Sequence, residues 1–439
     1  MAPDFELKDL NGNNVTISEI LEDNKPVILS FFGTWCDICV KEIHDFEDIA
    51  NKEGILVYLI GIDDGKKKIE RWAAKHRIIF PILHDPKGKI TGKKYDLFRG
   101  AFLIIPKMVV ISPAGTIEHV SESYSKEKMA SLKTALSQIK TKDWNKPVEL
   151  AIFFTNSING YLESCNCYKH PYGGFVKFVS WLKRQRAKYS HHILLDSGDF
   201  LPHSVSDNSA KFIFKALEIT KYDAIALGDQ DIYYPGIIEA AKNKKFPFIS
   251  SNLEWCDFLA STSPYRGKAS FATTENGEGN CESIGAFNKV MILNGVKIRI
   301  MSFLNSEAFF LYPEEFIGKI KIANLREILK QGKNADFLIL LSHSGADYDK
   351  KIAQEFDGID LIIGGHSQTL LNKPIKINQT LIVQAGGNVQ HAGKIILKFD
   401  KEKKLVNAEY EAVPLVNDVP DDPEIKALIE EQKKEQIEK

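Results

Sequence analysis

The chain has 439 residues, of which 57 are basic and 58 acidic, so its formal net charge is −1. This length predicts two domains rather than one core. The balanced charge argues against nucleic acid or an anionic membrane as a partner. Six cysteines are too few for a disulfide scaffold, and no apolar run approaches the roughly 18 residues of a membrane span. No charged-then-apolar leader precedes Ala2, so we expect a soluble chain, such as a mature form whose leader was removed.

A predicted strand runs directly into a predicted helix near the start of the chain. Residues 26–32 form a continuous apolar run, which is typical of a buried parallel strand. Over residues 40–49 apolar positions recur every third residue, with charged residues such as Glu42 between them, as in an amphipathic helix. Cys36 and Cys39 lie at this junction, where unpaired backbone N–H groups and the helix dipole stabilise a thiolate. We therefore predict that Cys36 is a nucleophile of lowered pKa and that Cys39 closes a disulfide with it.

Two other interpretations of this cysteine pair are a structural disulfide and half of a zinc site. A zinc site would need a second ligand pair, and the sequence contains no other Cys-x-x-Cys. A structural disulfide requires neither the preceding Trp35 nor a strand-to-helix junction. The pattern therefore favours redox chemistry.

The rest of the first domain continues an α/β pattern. Residues 55–62 predict a second buried strand, residues 66–76 a crossover helix, and residues 109–120 a hairpin. A last helix is predicted at residues 129–139. The polar, proline-terminated stretch 141–147 is typical of a linker, so the domain boundary is expected there.

Residues 1–140 resemble the thioredoxin fold, and within it thiol-disulfide oxidoreductases of the TlpA/ResA type. Three segments besides the cysteine motif carry the resemblance, namely residues 2–7, 85–88 and 105–111. The resemblance implies that Pro106 follows a cis bond, and that Trp35, Ile105 and Pro106 contact an extended substrate segment. It implies no cofactor for this domain.

The cysteine motif departs from this family between its two cysteines. Asp37 and Ile38 stand where a proline-containing pair is more usual. A carboxylate beside the nucleophile disfavours the thiolate, so we expect Cys36 to be less acidic than in the family and the couple to be more reducing.

The second part of the chain contains five apolar runs that each end in polar side chains. The side chains that follow them include Asn159, Asp199, Asp229, His343 and His366. Asp and Gly are also common turn residues at strand ends. In open α/β sheets, however, the carboxyl edge is where sites are built. Five such ends with potential metal ligands favour a site, or the remains of one.

This second part, residues 148–418, resembles the calcineurin-like metallophosphoesterases, specifically the catalytic half of 5′-nucleotidases. The resemblance extends to residues 246–252 and 383–386, and residues 419–439 read as a charged helix. The fold class predicted for the whole chain is therefore α/β, a thioredoxin-like domain followed by a metallophosphoesterase-like sandwich. The metal ligands that the resemblance implies are Asp199, Asp229, His343, His366 and Gln368.

The second resemblance is incomplete at the metal site. Ser157 and Asn159 stand where the family has Asp and His ligands, and Gln230 replaces a transition-state His. Asp229 replaces Asn, a milder change because a carboxylate is also a hard ligand. We also expect the family's nucleoside-clamping C-terminal domain to be missing. Losing a general acid typically costs roughly 10²–10⁴ in rate. We therefore expect one divalent metal at most (Zn, Mn or Fe), and weak hydrolysis or none.

Cys165, Cys167 and His170 lie outside the inherited pattern, in the loop after the altered ligand motif. One interpretation is a second redox pair that serves as a client of Cys36 and Cys39. Another is a soft metal site. The third is two unremarkable thiols in a loop, or disulfides to Cys256 or Cys281. The sequence leaves all three open.

Taken together, the sequence predicts a thiol-disulfide oxidoreductase fused to a 5′-nucleotidase-like domain. Cys36 would attack a disulfide of a partner protein, and Cys39 would resolve the mixed disulfide. The Cys36/Cys39 dithiol would be oxidised in the process. One alternative is a metal-dependent phosphoesterase whose thioredoxin-like domain keeps thiols reduced. Another is a non-catalytic binding scaffold. Both families resembled are commonly exported, so the resemblance implies an extracytoplasmic location.

Overall fold

Buried strands alternate with amphipathic helices along the chain, as its apolar runs predict. The computed structural model describes residues 2–63, 65–100, 102–141, 147–165, 172–243, 245–257, 280–293, 295–331 and 335–437. The chain divides into unit 1 (Met1–Val148, Met291–Lys297 and Lys401–Lys403) and unit 2 (Glu149–Val290, Ile298–Asp400 and Lys404–Lys439). Most of the predicted linker at 141–147 lies outside the described residues.

Unit 1 contains the strands and helices that the sequence predicts for its N-terminal part, together with short elements that were not predicted. In chain order they are β1 (Glu6–Asp9), β2 (Asn14–Thr16), α1 (Ile17–Ile20), β3 (Val27–Phe32), α2 (Asp37–Glu53), β4 (Leu56–Gly61), α3 (Lys66–His76), β5 (Ile82–His84), β6 (Phe98–Arg99), β7 (Phe102–Leu103), β8 (Lys107–Ile111), β9 (Ile117–Ser121) and α4 (Lys126–Thr141). The crossover helix and the β8–β9 hairpin are confirmed. The last helix is longer than predicted, at both ends.

One mixed sheet organises unit 1, with strand order β2-β1-β5-β4-β3-β8-β9. All residues of β3 are buried, because the strand is covered on both faces. It pairs in parallel with β4 and antiparallel with β8. Helix α2 buries Ile43, Phe46 and Ile49 against this sheet. The first residue of α2 therefore lies just beyond the carboxyl end of the central strand.

Unit 2 is larger and contains most residues of two six-stranded sheets, of which Val148, residues 291–293 and residues 296–297 belong to unit 1. In chain order its elements are β10 (Val148–Thr155), α5 (Phe175–Arg186), β11 (His192–Asp196), α6 (Asp207–Thr220), β12 (Ala224–Ala226), α7 (Asp229–Tyr233), α8 (Gly236–Lys242), β13 (Phe248–Ile249), β14 (Leu253–Asp257), β15 (Asn280–Ser283), β16 (Lys289–Leu293), β17 (Val296–Leu304), α9 (Glu314–Ile317), β18 (Ile320–Ile322), α10 (Leu325–Gln331), β19 (Phe337–His343), α11 (Ala346–Glu355), β20 (Leu361–Gly364), β21 (Ile375–Ile377), β22 (Thr380–Val383), β23 (His391–Phe399), β24 (Leu405–Pro414) and α12 (Pro423–Ile437).

The two six-stranded sheets have the orders β13-β12-β11-β10-β23-β24 and β16-β17-β19-β20-β22-β21. Strands β10, β11 and β12 run parallel in the first sheet, and β17, β19 and β20 run parallel in the second. The parallel strands are almost entirely buried, so their polar residues are concentrated where the strands end. The predicted ligand positions all follow the carboxyl ends of these strands.

A small third sheet, β15-β14-β18, contains a disulfide between Cys256 and Cys281. The two cysteines face each other across the β14–β15 pair. Because they bond to each other, neither is free to pair with Cys165, which removes that alternative for the Cys165 loop. No helix among the described residues has both the length and the apolar character needed to span a membrane.

Candidate functional site

The first candidate site is the Cys36–Cys39 disulfide at the start of α2. Cys36 is the N-cap residue of the helix, and its Sγ accepts a hydrogen bond of 3.2 Å from the backbone N–H of Cys39. Cys36 is 8 % exposed, whereas Cys39 is fully buried. Of the two cysteines, only Cys36 can therefore be reached by a sulfur of another molecule, whether Cys36 attacks that sulfur or is attacked by it. This is the arrangement that a nucleophile at a helix N-terminus requires.

The turn before Cys36 is held by the buried carboxylate of Asp63. Its two oxygens accept hydrogen bonds from the backbone N–H and the hydroxyl of Thr34, both at 2.7 Å. Lys68 donates to the same carboxylate at 2.7 Å and lies 5.3 Å from the centre of the Trp35 ring. Asp63 thus fixes the turn that carries Trp35 and Cys36. Nothing in the local sequence pattern pointed to this role, because Asp63 lies beyond the end of β4.

Two large apolar side chains next to Cys36 in the sequence are exposed. Trp35 is 57 % exposed and Ile38 is 40 % exposed, which is unusual for residues of this size. The Ile105–Pro106 peptide bond is cis, as the resemblance implies. Ile105 packs against the same core cluster that contains both cysteines. An apolar partner segment could therefore contact this surface, although the contacts themselves stay a prediction.

Glu42 is a buried acid in α2 that the sequence analysis placed among the polar positions of the helix. It is 1 % exposed, and its Oε2 accepts a hydrogen bond of 3.1 Å from the hydroxyl of Ser30. Burial raises the pKa of Glu42 to about 7. Glu42 follows Cys39 by one helical turn. A proton-exchanging group of near-neutral pKa therefore shares the helix with the two cysteines.

The second candidate site is a cluster of four predicted ligands in unit 2. One ligand atom each of Asp199, Asp229, His343 and His366 lies within 4.8 Å of all the others. His343 Nε2 is 3.1 Å from an oxygen of Asp199 and 3.1 Å from Asp229 Oδ1. His366 Nδ1 is also 3.1 Å from Asp229 Oδ1. The structure brings together residues that are far apart in the chain, as the strand-end pattern predicts.

The chemistry of this cluster fits a bound cation. His343 Nδ1 lies 2.7 Å from the carbonyl oxygen of Ser197, so Nδ1 carries a hydrogen and donates it. A neutral imidazole then directs the lone pair of Nε2 toward the carboxylates of Asp199 and Asp229. Burial alone would lower the pKa of His343, but these two carboxylates raise it well above its usual value. A proton on Nε2 or a bound metal ion relieves the repulsion between the Nε2 lone pair and the two carboxylates. A set of two carboxylates and two imidazoles suits Zn, Mn or Fe.

The loops that carry the ligands are held by a further buried acid. Asp231 accepts hydrogen bonds from the backbone N–H groups of Asp199 (2.8 Å), Leu201 (2.8 Å) and Gly228 (2.9 Å). A Cβ on residue 228 would lie 2.2 Å from Asp199 Oδ1, so glycine is required there. Asp199 and His366 both adopt positive φ angles, 59° and 63°. Non-glycine residues in this region are typical of sites where surrounding structure imposes the geometry.

Amide groups occupy the part of the cleft where the resemblance implies a further metal. Gln230 Nε2 donates to Asp199 Oδ2 at 2.7 Å and to Asn159 Oδ1 at 3.3 Å. Asn159 Nδ2 in turn donates to Asn388 Oδ1 at 2.7 Å. The hydroxyl of Ser157 is buried and has no hydrogen-bond partner. Asn388 was not predicted, because it comes from a loop more than 200 residues later in the chain.

The remaining predicted site residues have separate environments. Gln368 is exposed, has a positive φ of 51°, and packs against Gly387. Its role as a ligand stays a prediction. Cys165 is disulfide-bonded, so the interpretation of it as a free thiol in a loop is wrong. Cys167 and His170, with which it was grouped, lie outside the described residues.

Comparisons with known proteins agree with this two-part architecture. Residues 1–120 match the model of the AhpC/TSA family. The 5′-nucleotidase of Bos taurus is 26% identical over 327 residues, which cover 65% of this chain and 52% of that protein. The human 5′-nucleotidase is 26% identical over 319 residues, covering 64% and 52%. The chain thus spans about half the length of these curated relatives.

Solved structures give the same fold for the larger part of the chain. The 5′-nucleotidase precursor from Thermus thermophilus aligns with a TM-score of 0.53 and 20% identity, covering 66% of this chain and 59% of that one. The calcineurin-like phosphoesterase YfkN from Bacillus subtilis gives 0.51 and 18%, covering 66% and 98%. The predicted fold class and both resemblances are confirmed: a thioredoxin-like AhpC/TSA domain precedes a 5′-nucleotidase-like domain.

The raised pKa of Glu42 predicts a specific pH dependence of stability. A carboxyl that ionises near pH 7 when folded, but near 4.5 when unfolded, stabilises the fold fully below about pH 4.5. This contribution is lost as the pH rises through 7, and it amounts to at most about 3 kcal/mol. The thermal midpoint of unit 1 should therefore fall between pH 5 and 8 in the wild type and much less in Glu42→Gln, as measured by calorimetry.

The matched control for this prediction is Asp48→Asn, which removes a carboxylate from the same helix. The Asp48 side chain is 84% exposed, so this variant should keep the wild-type pH profile. Identical profiles for the wild type and Glu42→Gln would show that Glu42 does not titrate in this range.

Proposed function

We propose that the chain is a thiol-disulfide oxidoreductase whose reaction takes place at Cys36 and Cys39. The observation that carries this proposal is the disulfide at the N-terminus of α2, in which Cys36 keeps a small exposed area (8 %) and Cys39 has none. We propose the domain limits as 1–140 and 148–418, joined by a linker at 141–147 and followed by a helical segment at 419–439. The partner is a protein that carries a disulfide or a dithiol.

In the direction that reduces the partner, the reaction has two thiol–disulfide exchange steps. The thiolate of Cys36 attacks a partner disulfide, forms a Cys36–partner bond and expels the other partner sulfur as a thiolate. Cys39 then loses its proton and attacks Cys36 Sγ, which releases the second partner sulfur. The partner gains two electrons, and the protein ends with the Cys36–Cys39 disulfide. The reverse sequence oxidises a partner dithiol.

Glu42 supports the second step. Cys39 is fully buried, so its thiol proton has no direct route to water. Glu42 lies one helical turn beyond Cys39 and has a pKa raised by burial to about 7. A carboxylate of this pKa accepts a thiol proton at neutral pH more readily than an ordinary glutamate does. Asp37 beside Cys36 should make the couple more reducing than is usual for the family.

We propose that unit 2 binds one divalent metal through Asp199, Asp229, His343 and His366. The support is the geometry of these groups and the excess of acceptors around His343 Nε2. When bound, the metal would supply a positive charge for an anionic ligand. A second cation is disfavoured because the amide of Gln230 already donates to Asp199. Without a charged partner at position 157 or an imidazole at position 230, hydrolysis should be slow.

The second candidate function is that of a metal-dependent phosphoesterase. The ligand cluster favours it, as do relatives that are themselves 5′-nucleotidases. In that case unit 1 would serve to keep thiols reduced. An extracytoplasmic location is supported by the disulfides at Cys256–Cys281 and at Cys165, because such bonds persist in oxidising compartments.

Removing each cysteine separately tests the oxidoreductase proposal. The reduced wild type should accelerate insulin reduction by dithiothreitol, and both Cys36→Ser and Cys39→Ser should lower the rate to background. After reduction and removal of dithiothreitol, only Cys39→Ser should accumulate a mixed disulfide with insulin, visible by non-reducing electrophoresis and mass spectrometry, because its Cys36 can attack but nothing resolves the product. A mixed disulfide that forms with Cys36→Ser, but not with Cys39→Ser, would contradict the assignment of the nucleophile.

Restoring charged groups in the cleft tests the one-metal proposal. The triple variant Ser157→Asp, Asn159→His, Gln230→His should raise the metal content from one to two ions per chain. It should also raise the rate of p-nitrophenyl phosphate hydrolysis with Mn²⁺ by roughly 10²-fold or more. Ser157→Asp with Asn159→His alone serves as the control for the missing imidazole at position 230. Two metal ions and rapid hydrolysis in the wild type would instead favour the phosphoesterase function.

A further inference from the structure

Asp229 is the one ligand whose two carboxylate oxygens have clearly different surroundings. Its Oδ1 lies 3.1 Å from His343 Nε2 and 3.1 Å from His366 Nδ1, so it faces the centre of the cluster. Its Oδ2 instead accepts a hydrogen bond of 2.7 Å from the hydroxyl of Tyr312. The carboxylate is 7 % exposed, so water does not compete freely for this oxygen. Oδ1 of Asp229 thus faces the ligand cluster, and Oδ2 is hydrogen-bonded to Tyr312.

The Tyr312 hydroxyl is held firmly in place. Tyr312 is only 8 % exposed, and its backbone N–H donates to the carbonyl of Phe309 at 3.0 Å. Its ring packs edge-on against Phe309 and Tyr233, with ring centres 5.5 and 5.0 Å away, and lies 5.7 Å from Phe316. This aromatic surround leaves the ring little freedom to rotate away from Asp229.

The Asp229 carboxylate fixes the direction of the hydrogen bond, and a neighbouring histidine extends it into a chain. His203 Nδ1 lies 3.2 Å from the Tyr312 oxygen, and its ring stacks on Tyr233 at 5.5 Å. A carboxylate can only accept, so the phenol hydrogen goes to Asp229 Oδ2. The Tyr312 oxygen then accepts a hydrogen from His203 Nδ1. The result is a chain of donors from His203 through Tyr312 to Asp229 that ends at the candidate metal site.

We propose that Tyr312 is a positioning residue that makes Asp229 bind a metal through Oδ1 alone. This inference rests on the proposed one-metal site. A carboxylate with two free oxygens can chelate an ion through both of them. With Oδ2 engaged by Tyr312, Asp229 supplies a single ligand atom and leaves a coordination position open for water or substrate. Partners of metal ligands of this kind typically contribute roughly 10–100-fold to affinity or activity.

The role is specific to a carboxylate at position 229. In Asp229→Asn the side chain has one oxygen and one NH₂ group, so it cannot chelate through two oxygens and has no second acceptor for the Tyr312 hydroxyl. Loss of that hydroxyl should therefore change the metal site when residue 229 is Asp, and have little effect when it is Asn. A purely structural tyrosine would give the same change in both backgrounds.

Visible absorption of bound Co²⁺ reports the coordination number without any assay of activity, since band intensity falls as ligands are added. The experiment titrates Co²⁺ into the full chain as wild type, Tyr312→Phe, Asp229→Asn and the double variant. Tyr312→Phe keeps the ring and its packing. We expect its Co²⁺ bands to weaken at least about twofold, because the freed Oδ2 of Asp229 joins the ligands and raises the coordination number. The double variant should match Asp229→Asn within about twofold.

Tyr234→Phe is the matched control, because its hydroxyl donates to Asp207 at 2.9 Å, away from the ligands. It should give the wild-type spectrum. Unchanged bands in Tyr312→Phe, while the wild type binds Co²⁺, would overturn the role of Tyr312 and leave the metal site standing. An equal change in both backgrounds would overturn it as well. Failure of the wild type to bind Co²⁺ would overturn both the metal site and the positioning role.

Discussion

The start of helix α2 at Cys36 is the constraint on which the proposed redox chemistry depends. The chain leaves the fully buried strand β3, turns through residues held by Asp63, and presents Cys36 as the cap of the helix. The backbone N–H of Cys39 then donates to the Sγ of Cys36 in the first turn of the helix, and the sulfur of Cys39 is buried in the core. The proposed reactivity of Cys36 therefore depends on its position at the N-terminus of α2 as much as on its being a cysteine.

The second site, like the first, lies where strands end. The parallel strands of two sheets end at or just before the four ligands Asp199, Asp229, His343 and His366. In this cleft neutral hydrogen-bond donors stand where the 5′-nucleotidase resemblance implies charged groups. The amide of Gln230 donates to Asp199, and the hydroxyl of Tyr312 donates to Asp229. Neutral donors satisfy carboxylate oxygens without the charge that a second metal would bring.

Hydrophobic periodicity was sufficient to predict the strands and helices and to place the ligands at strand ends. It could not predict Glu42, because an acid between apolar positions resembles a solvated one until the packing around it is known. Asp63 and Tyr312 were missed for a different reason. Each acts through a partner far along the chain, 29 residues away for Asp63 and 83 for Tyr312. Such pairs leave no local pattern, and only tertiary structure brings them together.

The most direct test of the account is the pH dependence of alkylation of Cys36 in the reduced full-length chain, followed by mass spectrometry. The account predicts a thiol pKa for Cys36 below the ordinary value of about 8.5, rising toward it when the chain is unfolded in urea. It also predicts that Cys39 reacts slowly until the fold is lost, because it is buried. Equal alkylation curves for Cys36 in the folded and unfolded chains would contradict the account.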